Sequence, residues 1–385
     1  MTDYHPGLDG VIATESSISD IDGEKGILSY RGYSIEELAE KSTFEETCLL
    51  LLTGDLPAKD QLVNFTQKIN ARRDLPSGLI DLLKTLPKNS NPMDVIQLAV
   101  SSLGSFYPVE FDAEKLKAKK YSNEYFVDVS AGIIGSIGSI VAAWNRVKNN
   151  KEYIKPDNNL SYAENFMHML DDSIKVTPLI NRIIDATLIL HAEHTINAST
   201  FTAMVTSSTL ASPTQVVASA IGSLSGPLHG GANQKVILML EEMGSKENAP
   251  KWLDDRLSKK QVVWGMGHRE YSTKDPRANI LTGMVQELFK EQSGKVSEMF
   301  ETAMALEAAC EEKLAKKGVY ANVDFYSGIL YKEIGIPVDL FTALFAISRT
   351  SGWLAHWIEQ VGNNKIFRPT QRYTGEKARK YNSKS

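Results

Sequence analysis

Apolar residues recur at helical spacing along almost the whole chain after its first 33 residues, and this pattern constrains the fold more than any other feature. Most of these segments are bounded by Gly, Pro or Ser, and two capping boxes, Ser34–Glu37 and Ser161–Glu164, mark helix starts. Strand-like runs are scarce beyond the N-terminus, so the sequence predicts a mainly α fold. The predicted helices include Phe44–Thr53, Asp60–Arg73, Leu79–Leu86, Met93–Ser102, Ala131–Trp144, Ile180–Leu210, Asn279–Glu291, Glu298–Lys316, Asp339–Arg349 and Gly352–Gln360.

The first 33 residues predict a small β element instead. A loosely alternating run, Val11–Ile21, leads into Asp22-Gly23, which is a turn signal, and Gly26–Tyr33 follows. We therefore expect a short hairpin ahead of the helices.

The composition excludes several classes of protein. A chain of 385 residues with 42% hydrophobic and 23% charged residues is typical of a globular protein of one or two domains. Its net charge of −5 does not fit a generally basic nucleic-acid-binding protein. Its two cysteines cannot build a disulfide scaffold or a Cys-rich zinc site. The first ten residues lack a secretory signal pattern, and Ala131–Trp144 is too short to span a bilayer. The sequence thus predicts a soluble, cytoplasmic protein without nucleic-acid or membrane partners.

Two of the seven histidines lie in glycine-rich breaks between helices. His229 stands in Gly226-Pro-Leu-His-Gly-Gly-Ala-Asn, and His268 follows Gly265-Met-Gly and precedes Asp275-Pro-Arg277. Glycines let a backbone or a ligand approach closely. One such histidine is usually structural, but two in one chain favour a functional site.

A third histidine cluster, His191-Ala-Glu193-His194, falls on the long predicted helix from Ile180. Because the two histidines are spaced i and i+3, we expect them to share a helix face. That spacing permits a metal site, but no His-Glu-x-x-His motif, cysteine or acidic triad completes one, so we predict no metal. The polar segment Asn197–Phe201 just beyond indicates a wall that faces a ligand.

Three further residues complete the set of candidates. Asp324 lies between Val323 and Phe325 in a predicted loop, where an acid is either solvated or a positioned base. Arg349 lies in an apolar run and is expected to point inward, where it needs an anionic partner. Arg368 precedes a proline near the tail, which alone is typical of a surface residue.

Together these side chains suit the formation of a carbon–carbon bond. The arginines are able to hold two carboxylates by forked hydrogen bonds, the histidines to donate to carbonyl oxygens, and Asp324 to remove a proton from a carbon acid beside a thioester. Such chemistry requires no metal or organic cofactor.

The motifs that carry this set resemble those of the citrate synthase family over almost the whole chain. They are LILHAEHTINASTF, LSGPLHGGAN, GMGHREYSTKDPR, NVDFYSG, FAISRTSGWLAHWIEQ and RPTQRYTG, in this order. The resemblance implies a two-domain, almost all-α enzyme that works at least as a homodimer. Its large domain would comprise residues 1–230 and 336–385, and its small domain, residues 231–335, would close over the substrates after oxaloacetate binds.

The resemblance also implies a role for each candidate. Asp324 matches the base that deprotonates acetyl-CoA, His229 the donor to the thioester oxygen, and His268 the donor that polarises the ketone of oxaloacetate. The substrate-binding residues are His194, Arg277, Arg349 and Arg368, of which Arg368 resembles the arginine supplied by the partner subunit. The loop Gly265-Met266-Gly267 resembles the backbone that contacts CoA, with Arg269 and Lys274 as candidate phosphate contacts.

The implied reaction is citrate formation at the entry of the tricarboxylic acid cycle. Two alternatives stay open at this point. Methylcitrate synthase uses the same residues with propionyl-CoA, and one methylene is worth only about 1–3 kcal/mol in a pocket. An inactive helical scaffold of the same fold is the other, although every catalytic side chain is retained.

Overall fold

The computed structural model of the protein describes residues 4–109, 112–117, 121–291, 294 and 296–381. In this part of the chain seventeen α-helices follow one three-stranded sheet, which confirms the predicted mainly α fold with a small N-terminal β element. The helices, numbered α1 to α17 in this order, are Ile35–Lys41, Phe44–Thr53, Lys59–Arg73, Ser77–Thr85, Pro92–Phe106, Ala113–Lys117, Asn123–Lys148, Tyr162–Leu170, Pro178–His191, Ala198–Ser208, Pro213–Leu224, Ala232–Met243, Ala249–Ser258, Pro276–Glu291, Glu298–Leu314, Val323–Ile334 and Phe341–Gly362.

The sheet is an antiparallel hairpin with one short added strand. Strands β1 (Ser19–Asp22) and β2 (Ile27–Tyr30) pair from Ser19 opposite Tyr30 to Asp22 opposite Ile27, and β3 (Tyr33–Ser34) pairs with β2. The turn falls at the predicted Asp22-Gly23, where the Asp22 carboxylate accepts a hydrogen bond from the Lys25 N–H at 3.0 Å.

Both predicted capping boxes begin helices. The Ser34 hydroxyl accepts from the Glu37 N–H at the start of α1. At the start of α8 the Ser161 hydroxyl accepts from the Glu164 N–H, while the Glu164 carboxylate accepts from the Ser161 N–H. These bonds satisfy N–H groups that a helix leaves without partners, so they fix where each helix begins.

The long helix α7 is packed on several sides by other helices. It packs on α3, α5, α8 and α17, and nearly every residue from Ser130 to Val147 is buried. It is the one described helix with the length and apolar composition to cross a membrane, but 72% of its apolar window is buried inside the protein. The predicted buried core helix is therefore confirmed.

The helices between residues 231 and 335 pack largely on one another. Both α12 and α14 lie against α16, and α13 lies against α15. Contacts of α14 with α1 and α9 join this group to the rest. The predicted domain boundaries fall just before α12 and just after α16, and the division into two domains stays a prediction.

Three local predictions were wrong. The long helix predicted over Ile180–Leu210 is two helices, because α9 ends at His191, Thr195 has a φ of +51°, and α10 starts only after Asn197. Asp324 lies in the first turn of α16 and not in a loop. The two helices predicted around Gly352 are one continuous helix, α17.

Gly352 lies inside α17 without ending the helix. The absence of a side chain at this position lets another segment of the chain approach the helix closely. A Cβ at this position would lie 2.3 Å from Oε2 of Glu193 and 2.4 Å from the carbonyl oxygen of Ala192. The turn after α9 therefore rests directly on the backbone of α17.

We predict that Gly352→Ala lowers the free energy of unfolding by about 1–3 kcal/mol, since overpacking outweighs the helix propensity gained. The matched control is Gly283→Ala in α14, where a Cβ meets nothing within 4 Å. That variant should gain up to about 1 kcal/mol. Urea unfolding measures both, and equal effects of the two substitutions would contradict the packing described.

Candidate active site

Four segments bring most of the candidate residues together beside α17. His194 lies in the turn after α9, His229 precedes α12, His268 lies in the loop before α14, and Asp324 lies at the start of α16. Arg277 and Arg349 come from α14 and α17, and both influence the pKa of His194 and of Asp324. The structure thus brings six of the predicted residues into one cluster.

His194 and His268 face each other. Their ring centroids are 5.0 Å apart, and Nε2 of His194 lies 3.1 Å from the hydroxyl of Tyr271. Tyr271 also packs on the ring of His268, with the centroids 4.9 Å apart. The prediction that His194 shares a helix face with His191 was wrong, since α9 has ended before His194.

The tautomer of His229 is set by the backbone of α10. Its Nε2 accepts a hydrogen bond from the Ser199 N–H at 3.2 Å, so the ring proton of the neutral form resides on Nδ1. The Ser199 hydroxyl lies 2.8 Å from the same nitrogen and accepts from Nε1 of Trp353 at 3.2 Å. His229 is therefore fixed as a donor through Nδ1.

His268 is fixed in the opposite tautomer. Its Nδ1 accepts from the Glu270 N–H at 3.0 Å, which leaves the proton on Nε2. The two loop histidines are thus both neutral donors, each held from behind by a backbone N–H.

Burial and nearby arginines keep these histidines neutral. Burial lowers the pKa of His229 to about 4, with a further contribution from Arg349. Burial, followed by the charge of Arg277, lowers the pKa of His268 to about 4. Burial and the same two arginines hold the pKa of His194 well below its ordinary value. None of the three rings carries a positive charge at neutral pH.

Arg277 is buried and held by one carboxylate. Its Nε and one terminal nitrogen donate to the two oxygens of Asp275 at 3.0 and 2.8 Å. Burial alone would lower the pKa of Arg277, but Asp275 raises it above its ordinary value. Asp275 also accepts from the Val323 N–H at 3.2 Å, so it ties Arg277 to the start of α16, one residue from Asp324.

Arg349 is buried without such a carboxylate. It is 2% exposed, its Nε donates to the His191 carbonyl at 2.8 Å, and its guanidinium lies over the ring of Phe345. Within the described residues it forms no ion pair with a carboxylate. The prediction that Arg349 points inward is confirmed, and its two terminal nitrogens form no hydrogen bond with the described residues.

Asp324 has the properties of a base. Its carboxylate is half-buried and accepts no hydrogen bond from the described residues. The backbone N–H of Asp324 donates to Oδ1 of Asn322, the N-cap residue of α16, at 3.0 Å. Burial raises the pKa of Asp324 to about 6, although Arg277 opposes the change. A carboxylate with a pKa this close to neutrality is a better proton acceptor than an ordinary one.

The Gly265-Met266-Gly267 loop lies directly beside Asp324. Met266 and Ala321 form an isolated antiparallel β-bridge. On either side of it, the Gly267 N–H donates to the Tyr320 carbonyl at 2.7 Å, and the Asn322 N–H donates to the Gly265 carbonyl at 2.9 Å. This pairing holds the loop against the segment that begins α16.

The two candidate phosphate contacts differ. Arg269 is exposed, whereas the ammonium of Lys274 lies 2.7 Å from a Glu307 carboxylate oxygen and is largely buried. Lys274 thus has a partner within the protein already.

Arg368 does not join the cluster in a single chain. It is exposed, and its neighbour Phe367 is anchored to α10 by the Ser208 hydroxyl and by the ring of Phe201. Its predicted role depends on a second subunit and stays a prediction.

Sequence reasoning missed four residues that hold the others in place: Tyr271, Ser199, Trp353 and Asp275. Ser199 lies in the segment predicted to face a ligand, and Asp275 in the Asp-Pro-Arg motif, so both carried a signal. Tyr271 and Trp353 lie inside two of the quoted motifs, but no residue-level argument gave either of them a role. Among the described residues no group of three or more His, Cys, Asp or Glu side chains is placed to hold a metal ion.

The arrangement therefore combines two buried cations, three neutral imidazoles and one carboxylate of raised pKa. Side chains of these types are chemically suited to hold a dicarboxylate, to donate to two separate carbonyl oxygens and to accept a proton from carbon.

Comparison with known proteins defines the class. Residues 7–370 match the family model described as citrate synthase, C-terminal domain. Citrate synthases from Acidithiobacillus ferridurans and a Synechocystis species are 48% and 45% identical over 379 residues, covering 98% of this chain and 97% and 93% of those proteins. The fold and sequence are thus those of an acyltransferase enzyme.

Solved structures of citrate synthases have the same fold as this chain. Citrate synthase from Thermotoga maritima superimposes with a TM-score of 0.86 at 39% identity, covering 97% of both chains. The Thermoplasma acidophilum enzyme, solved as a ternary complex with carboxymethyl coenzyme A and oxaloacetate, gives 0.90 at 32% identity, covering 99% of this chain and 98% of that one. The chain belongs to the citrate synthase family.

We predict that His229→Gln flattens the dependence of stability on pH. With a folded pKa of about 4 and an unfolded value near 6.5, the unfolded state binds more protons between these pH values, so wild-type stability rises with pH there. Relative to His229→Gln, the wild type should gain up to about 3 kcal/mol between pH 4 and 6.5. Urea unfolding at a series of pH values measures the difference, and parallel curves would contradict a neutral, buried His229.

Proposed function

We propose that this enzyme condenses oxaloacetate with acetyl-CoA and water to give citrate and CoA, without a metal or organic cofactor. The observation that carries the proposal is the pairing of two buried arginines with neutral histidine donors and a carboxylate of raised pKa. The names of the relatives, and the two ligands of the Thermoplasma acidophilum complex, support the same substrates.

Oxaloacetate would bind first, with its carboxylates on Arg277 and Arg349 and its ketone near His194 and His268. A planar guanidinium forms two parallel hydrogen bonds to a carboxylate, and the terminal nitrogens of Arg349 have no carboxylate within the described chain. The Nε2–H of His268 would donate to the ketone oxygen and polarise the carbonyl for attack.

Binding of this dianion would also activate the base. Arg277 and Arg349 lower the pKa of Asp324, against the larger effect of burial. Two carboxylates placed on these arginines offset that influence, so the proton affinity of Asp324 rises once oxaloacetate is bound. The base is therefore strongest when its electrophile is in place.

Asp324 would remove a proton from the methyl group of acetyl-CoA, held by the Gly265–Gly267 loop. The Nδ1–H of His229 would donate to the thioester oxygen, on which the negative charge of the enolate develops. The enolate carbon attacks the ketone carbon, the new alkoxide accepts from His268, and water cleaves the resulting citryl-CoA thioester to release citrate and the CoA thiol.

We further propose that the working unit is a homodimer in which residues 231–335 close over the substrates. In it, the exposed Arg368 of one subunit would complete the oxaloacetate site of the other.

The direct test is release of the CoA thiol with oxaloacetate and either acetyl-CoA or propionyl-CoA. The proposal predicts turnover that requires oxaloacetate and a higher kcat/KM with acetyl-CoA. Preference for propionyl-CoA would assign methylcitrate formation instead, and no release with either thioester would refute the proposal.

Asp324→Asn is expected to lower kcat by about 10²- to 10⁴-fold, because an amide cannot accept the proton. The KM for oxaloacetate should stay within a few-fold. Asp255→Asn, which changes an exposed carboxylate on α13, is the control. Near wild-type turnover of Asp324→Asn would remove this residue from its role.

Co-expression of Arg368→Ala with Asp324→Asn should restore activity that neither variant has alone. If Arg368 acts in trans, a mixed dimer has one site with both lesions and one with none. Random pairing then gives roughly a quarter of wild-type activity. No recovery in dimers shown to be mixed would place Arg368 in its own subunit's site.

A further inference from the structure

The N-terminal hairpin touches both segments that carry the facing histidines. Its open end, where Ser19 pairs with Tyr30, lies against the turn that holds His194. Its closed end, around Gly23, lies against the loop that holds His268. An antiparallel ladder of four residue pairs joins the two ends.

At the open end two side chains fix the turn after α9. The Ser19 hydroxyl donates to the Glu193 carboxylate and accepts from the Thr195 N–H, both at 3.1 Å. The buried Tyr30 hydroxyl donates to the Glu193 carbonyl at 2.8 Å. Thr195 has a φ of +51°, which is unfavourable for a β-branched residue, so these bonds hold a turn that the local sequence does not favour.

At the closed end the contact is between backbones. The Ser272 N–H donates to the Gly23 carbonyl at 3.0 Å. A Cβ on Gly23 would lie 1.7 Å from the Glu270 carbonyl oxygen, and one on Gly26 would lie 2.8 Å from the Thr273 methyl group. The Glu270 N–H, in the same loop, is the group that fixes the tautomer of His268.

We infer that the hairpin is a positioning element which sets the spacing of His194 and His268 when residues 231–335 are closed, with Ser19 and Gly23 as its two points of attachment. The 5.0 Å separation of the rings and the bond between His194 and Tyr271 depend on both segments being held to the same ladder. The inference rests on the proposed function, in which both histidines contact oxaloacetate.

Gly23→Ala tests the closed end, because the added methyl group must displace the loop by more than an ångström. Displacements of about 1 Å in binding groups cost up to roughly a hundredfold in rate. We expect the oxaloacetate KM to rise about tenfold, with the acetyl-CoA KM at saturating oxaloacetate near wild type. The thermal midpoint should fall modestly, because the added methyl group overpacks this backbone contact as it does at Gly352. Glu24→Ala, an exposed change in the same turn, should match the wild type.

Ser19→Ala tests the open end, with Ser19→Thr as the conservative variant that keeps the hydroxyl. We expect Ser19→Ala to raise the oxaloacetate KM and Ser19→Thr to restore it. Since both attachments act on one spacing, the double variant Gly23→Ala/Ser19→Ala should lose less than the product of the single losses.

Unchanged oxaloacetate KM in both single variants, an equal rise in the acetyl-CoA KM, or failure of Ser19→Thr to restore binding would overturn the inference. His268→Gln, measured in parallel, separates this result from the proposed function. If His268→Gln raises the oxaloacetate KM and the hairpin variants do not, only the positioning role fails. If His268→Gln has no effect, the proposed role of His268 itself fails.

Discussion

Two buried guanidinium groups dominate the electrostatics of this cluster, and among the described residues only Arg277 forms an ion pair with a carboxylate. Asp275 neutralises Arg277, whereas Arg349 is held by a carbonyl oxygen and an aromatic ring. A buried charge without an ion-pair partner is costly, and the charge of the buried Glu193 offsets only part of the effect of burial on Arg349. In the proposed function an anionic substrate would supply the missing partner. The same excess of positive charge adds to burial in lowering the pKa values of the surrounding histidines, so they act as neutral donors.

The second constraint is that backbone N–H groups fix which ring nitrogen of His229 and of His268 carries the proton. His229 and His268 each accept an N–H at one ring nitrogen and so present the other, although they use opposite nitrogens. Asp275 connects Arg277 of α14 to the first turn of α16, and thereby relates the position of Arg277 to that of Asp324. In the proposed function, these short contacts between helix ends would couple substrate binding to proton removal.

Local patterns in the sequence were sufficient for elements whose ends are decided locally. The capping boxes at Ser34 and Ser161 predicted the starts of α1 and α8, and the apolar run in α7 predicted a core helix. The end of α9 was missed, because the apolar pattern continues to Leu210. The turn after α9 is stabilised by hydrogen bonds from Ser19 and Tyr30, which lie more than 150 residues away in the sequence.

The site was predictable in its reacting groups and less so in their supports. Motifs identified the histidines, the arginines and Asp324, since their chemistry depends on residue type. Tyr271 and Trp353 meet their partners only once the chain has folded, so their roles are visible only in the structure. The same holds for Gly352, which makes room for Glu193 and does not end a helix.

The most direct test of the central claim is calorimetric binding of oxaloacetate, without acyl-CoA, to the wild type and to Arg349→Lys. Lysine keeps the charge but not the planar fork, and a hydrogen bond to a charged group is worth about 1.5–3 kcal/mol. We predict that oxaloacetate binds at least about tenfold more weakly to Arg349→Lys, with the fold intact by thermal unfolding. Equal affinity for the two proteins would contradict the account.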